Sequence, residues 1–84
     1  MSTTIKTTPA QAGMARRICP DFVQINDLDR YDSIAVTNIS ALFGAIVCEK
    51  NRIEKSPLHG ARDALWRASK ARTLIALEKK LRAI

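Results

Sequence analysis

A chain of 84 residues makes one domain at most, and a chain this short buries a smaller fraction of its surface than a typical domain does. It is 46% hydrophobic and 26% charged, and its aromatic residues are Phe22, Tyr31, Phe43 and Trp66, which excludes a large aromatic core. The formal charge of +6 suits nucleic acid, an acidic protein surface or an anionic membrane as partner and does not choose among them; charge kept for solubility is the other use.

Cys19 and Cys48 stand far apart and His59 is the lone histidine, so the usual four-ligand zinc patterns are missing. The sequence leaves a disulfide open, but nothing in it suggests a secreted scaffold. The start is polar before the basic pair Arg16-Arg17, with no apolar signal core behind it. The longest apolar run, Ala41 to Cys48, is too short to span a bilayer. These features predict a cytoplasmic protein with free thiols.

Residues 1–15 are rich in Thr, Ser, Ala and Gly and contain Pro9. Such a segment has little apolar area to set against its ordering entropy, which predicts a flexible tail. Arg16 and Arg17 then either end that tail in solvent or add charge to a binding surface. Phe22-Val23-Gln24-Ile25 reads as a short strand or as an extended arm over the helices. Asp27, Asp29 and Asp32 follow; a calcium loop would also need its central Gly and terminal Glu, so turn and capping roles are expected.

The first strong helix is predicted from Ser33 or Asn38 to Glu54. Ile39, Leu42, Phe43, Ile46, Val47 and Ile53 recur at helical spacing, and the first five define its core or dimer face. Asn38 is a good cap for the later start, and the β-branched Ile34, Val36 and Thr37 leave room for an extended stretch before it. The run Lys55-Ser56-Pro57-Leu58-His59-Gly60 is a break. Ser56 there is able to cap a helix starting at Pro57, or the next helix starts after Gly60. His59 reads as a loop residue rather than a catalytic base.

A last helix, about Ala61 to Arg82, carries an apolar stripe of Ala61, Ala64, Leu65, Ala68, Ala71, Leu74, Ile75 and Leu81. Glu78 and Arg82 form an i,i+4 pair. Trp66, Leu77 and Ile84 are left over for a partner. The elements together predict an all-α fold: a small helical hairpin with a flexible N-terminal arm, completed by homodimerisation. The domain division is a tail over 1–15 and a single small helical domain over 16–84.

Enzyme motifs are missing: no phosphate-binding glycine loop, no metal-ligand cluster, no nucleophile with a base. No catalytic, metal or cofactor residue is therefore assigned. From Lys50 to Ile84 there are ten Lys/Arg and three Asp/Glu, a segmental charge of +7. Arg62, Arg67, Lys70 and Arg72 are placed to meet phosphates, and two helices across a Gly-containing break resemble a helix-turn-helix in outline. The cations spread around the helix rather than forming a stripe, however. For protein binding, Trp66 beside Arg62, Arg67 and Lys70 supplies the residue types enriched at interface hot spots.

The run "TNISALFGAIVCEKNRIEK", preceded by "CPDFVQIND", resembles the small derepression proteins of satellite phages, also called Epsilon-type antirepressors. The likeness covers Cys19 to Lys55 and extends toward the basic last helix. It implies a protein that binds the transcriptional repressor of a helper prophage inside the bacterial host and starts its lytic programme. The expected partner is thus a phage repressor, with direct DNA binding as the second choice.

Overall fold

The computed structural model describes residues 2–56 and 60–84, with Ala61 and Arg62 described for their backbone alone. Six elements follow in order: β1 (Thr3–Lys6), α1 (Pro9–Ile18), β2 (Val23–Ile25), β3 (Ser33–Val36), α2 (Ile39–Lys55) and α3 (Ala61–Arg82). The chain is therefore a mixed α/β protein, not the all-α hairpin expected.

The main correction lies in the N-terminal segment. Thr3-Thr4-Ile5-Lys6 forms an edge strand rather than a flexible arm, and a helix follows at once. That helix starts on a reciprocal cap: the Thr8 hydroxyl accepts from the Gln11 amide at 3.2 Å, and Gln11 Oε1 accepts from the Thr8 amide at 3.1 Å. Pro9 sits in the first turn, where its missing N–H costs nothing. Ala12 and Ala15 are fully buried and let α1 approach its neighbours closely.

The three strands form one antiparallel sheet in the order β1-β3-β2. β1 and β2 thus run parallel on either side of β3, with α1 as the crossover helix between them. The register pairs Ile5 with Ile34 and Val23 with Val36. Strand side chains alternate between faces, so these four residues point the same way and are all buried. Thr4, Lys6 and Gln24 alternate to the solvent face. The β2–β3 turn is built on Asp27, whose carboxylate accepts from the Asp29 and Arg30 amides at 2.9 and 3.3 Å. Tyr31 closes it in the left-handed region at φ 55°, an uncommon conformation for a bulky side chain.

β3 leads directly into α2, as the β-branched residues before Asn38 allow. Asn38 caps this helix, its side-chain oxygen accepting from the Ala41 amide at 3.0 Å. Leu42, Ile46 and Ile53 are buried, Ile39 and Phe43 pack at the margin of the core, and Val47 is exposed at the surface. The far end is closed by Ser56, whose hydroxyl donates to the Arg52 carbonyl at 2.8 Å. Ser56 therefore terminates α2 rather than starting the next helix. α3 begins after Gly60, whose φ of 143° lies in a region that favours glycine. His59 and Pro57 lie outside the described residues.

The buried face of α3 is rotated from the expected alanine stripe. Leu74, Leu77 and Leu81 enter the core, whereas Leu65 and Ile75 face solvent. Leu77 is thus a core residue and is not left over for a partner. Alanine counts as apolar in a pattern but contributes little burial, so the leucines set the phase. The second layer that a two-helix hairpin lacks comes from the sheet and α1, which share one core with α2 and α3. This removes the reason to complete the core by homodimerisation.

Polar contacts fasten the C-terminal half of α3 to the rest. Lys50 Nζ donates to Glu78 at 2.8 Å, and Arg82 donates to the other Glu78 oxygen at 2.9 Å. Lys80 Nζ donates to the Lys6 carbonyl at 2.8 Å and to Gln11 Oε1 at 2.7 Å. Lys80 thereby joins the end of α3 to β1 and to the cap of α1 at once. It also occupies a carbonyl on an edge strand, which blunts that edge against unwanted pairing.

Candidate functional site

The phase of α3 that carries Leu74, Leu77 and Leu81 continues toward its N-terminus as Lys70, Arg67 and Asp63. The spacing of three and four residues is unbroken, so these charged side chains sit on the same helical face as the core leucines. α2 behaves likewise: Leu42 and Ile46 are followed in phase by Glu49, then Ile53 and Ser56. Where the charged halves meet, the helices enclose a cleft instead of a closed core.

The cleft has a volume of 480 Å³. α1 contributes Arg17 and Ile18 from its last turn, α2 contributes Glu49, Arg52, Ile53 and the capping Ser56, and α3 contributes Asp63, Trp66, Arg67 and Lys70. Four cations and two carboxylates therefore line one concavity.

Each charge has a definite surrounding. Lys70 bridges to Glu49 at 3.4 Å, and both side chains are largely buried, at 13% and 15% exposure. Glu49 also meets Arg52 at 3.6 Å, and Arg52 is mostly exposed. Arg67 donates to the Ser56 carbonyl, which ties α3 to the end of α2. Among the described residues Arg17 makes no hydrogen bond or ion pair, and it reaches into solvent at the cleft wall.

Trp66 is 58% exposed at this wall. Lys70 Nζ lies 4.4 Å from the indole centroid, a cation–π contact. The largest side chain of the protein thus meets a cation on its ring and still offers an open surface. Amphipathic and partly exposed is the state in which tryptophan serves as an interface anchor.

Of the four partner residues read from sequence, Trp66, Arg67 and Lys70 lie together in this cleft. The side chain of Arg62 lies outside the described residues. Arg17, Arg52, Glu49 and Asp63 were not assigned to the site from sequence. The signal for the α2 and α3 members was the change from leucine or isoleucine to charge along one unbroken helical phase. Arg17 was read from sequence as either a solvated end or added charge on a binding surface, and its place at this cleft did not follow because its helix was not expected.

The two thiols differ. Cys48 is exposed and Cys19 is buried, and neither is in a disulfide. Burial pushes the Cys19 thiol above its ordinary pKa and Asp21 adds to this, against a hydrogen bond with the Phe22 backbone. A thiol held protonated is a poor nucleophile. Among the described residues, no group of three or more His, Cys, Asp and Glu is placed to hold a metal ion. No described helix is long and apolar enough to cross a membrane.

Comparison with known proteins returns nothing: no family model, no curated protein and no solved structure matches the chain.

Proposed function

We propose that the protein is an antirepressor: it binds a helper-phage transcriptional repressor in the bacterial cytoplasm and stops it from gripping its operator. The reading joins the resemblance carried by residues 19–55 to the cleft at the meeting of α1, α2 and α3. The observation that supports it most is the half-exposed Trp66, in cation–π contact with Lys70 and sharing the cleft wall with Arg67 and Arg17. Such a surface has the residue types enriched at protein interfaces, and the proposed role is binding.

The mechanism is a population shift. The protein holds a repressor conformation or assembly that cannot engage the operator. It moves the repressor toward that state by no more than its differential affinity for the two states. Repression then fails without proteolysis.

A small basic DNA-binding regulator is the second reading, favoured by the charge of +6. The fold weakens it. Lys50, Lys70 and Lys80 are engaged with Glu78, Glu49 and the β1–α1 corner, so part of the basic inventory is spent inside the protein. A gel shift separates the two readings. Added to a repressor–operator complex, the protein should release free operator and should not retard operator DNA by itself. A complex with operator alone that weakens steeply with salt would replace the first reading by the second.

A further inference from the structure

We propose that the occupant of the α1–α2–α3 cleft is an acidic segment of the partner protein, with carboxylates on Arg17 and Arg67 and one bulky apolar side chain on Trp66. This rests on the reading of the protein as a protein-binding regulator and gives that reading its chemistry.

The charge pattern selects the occupant. Among the described residues Arg17 has no partner and Arg67 is tied to a neutral carbonyl, so both guanidinium groups retain their charge toward a ligand. A planar guanidinium suits a carboxylate because two parallel N–H donors meet its two oxygens. Arg52 and Lys70 differ, since both face Glu49 and their charge is partly balanced. Glu49 offsets one of these two charges, and the cleft as a whole, with four cations against two carboxylates, stays net positive.

The mixed charge of the wall favours one macromolecule. A nucleic-acid strand carries a negative charge at every step, whereas this wall sets the paired Lys70–Glu49–Arg52 group beside the two arginines. A peptide is mixed in charge: it sets carboxylates against the arginines and offers backbone N–H groups or a basic side chain to Glu49. The open indole adds a site for an apolar side chain. A concavity of 480 Å³ falls in the range of ordinary ligand pockets and holds a few side chains rather than a whole helix.

Trp66 is the sole tryptophan of the chain, so intrinsic fluorescence reports on this cleft directly. The probe is a short acetylated peptide of Glu-Asp pairs spaced by leucine, free of tryptophan and tyrosine. An oligothymidylate of equal net charge runs in parallel. The peptide should shift or quench the emission saturably. Arg17→Glu and Arg67→Glu should each weaken it by about tenfold or more, whereas Arg72→Glu, outside the cleft, should leave it nearly unchanged. Circular dichroism of each variant checks the fold.

Two results would overturn the proposal: emission that answers to the oligothymidylate but not to the peptide, or peptide binding that Arg17→Glu and Arg67→Glu leave as tight as in the native protein. The operator-release assay separates this from the broader reading. If Arg17→Glu still frees operator, the antirepressor reading stands and the cleft assignment falls. If the native protein frees none, the antirepressor reading falls, and the peptide titration still judges the cleft.

Discussion

The two ends of the α2–α3 seam use the same residue types for opposite purposes. At the sheet end, Lys50 and Arg82 converge on Glu78 and Lys80 holds the β1–α1 corner, all beside a closed layer of Leu74, Leu77 and Leu81. At the other end, Arg17, Arg52 and Arg67 surround an open cleft and an exposed Trp66. A summed charge of +6 does not separate the two. What separates them is the partner each cation finds: the first set is satisfied by the fold, and part of the second is left facing solvent. Structural cations should govern stability, and cleft cations should govern binding.

The largest effect is expected where the seam is closed. Leu77→Ala removes a buried side chain from the core where α3 packs with α1 and α2 and should cost about 2–5 kcal/mol in urea unfolding. A loss below about 1 kcal/mol would show that this end is not the organising core. Lys80→Met comes next. It deletes both hydrogen bonds to the corner and, as the site is partly exposed, should cost about 1 kcal/mol. Hydrogen exchange should then quicken in β1 before it quickens in α2.

Acid should act at the closed end as well. The hydrogen bond from Lys50 holds the Glu78 carboxyl below its ordinary pKa, and the charges of Lys50 and Arg82 add to this against partial desolvation. A depressed folded-state value means that the carboxylate contributes stability above its unfolded-state value. That contribution is lost as the pH falls through the folded-state value. Glu78→Gln should therefore flatten the acid limb of stability against pH and leave its neutral and alkaline parts parallel to the native curve. An acid limb unchanged by the substitution would place the responsible carboxylate elsewhere.

How much of this was legible in the sequence differs along the chain. Asn38 as a cap, the buried Leu42 and Ile46, and a last helix spanning Ala61–Arg82 all follow from local capping and periodicity, and they agree with the structure. The sheet did not follow. Its strands have three or four residues each, too few for an alternating pattern to stand out, and β1 carries one buried apolar residue, Ile5. The order β1-β3-β2 also joins residues more than twenty-five positions apart, which no local pattern reports. α1 was missed although Thr8, Pro9 and Gln11 stood in the sequence as a start signal. Its small residues resembled a flexible tail because they bury by close approach rather than by size. For the site, Trp66, Arg67 and Lys70 were legible as residue types enriched at interfaces. Arg17 was legible only as one of two alternatives, a solvated end or charge on a binding surface, since only the fold of the N-terminal segment carries it to the cleft.

The open end should respond in the reverse sense. Arg17→Glu lies in the last turn of α1, where a cation favours the helix, so a loss of at most about 0.5 kcal/mol in stability is expected. The most direct test of the division between the two ends is operator release by this variant at matched stability. The account expects release from the repressor–operator complex to fall sharply while the urea midpoint stays close to native. Release at the native level by an equally stable Arg17→Glu protein would contradict it.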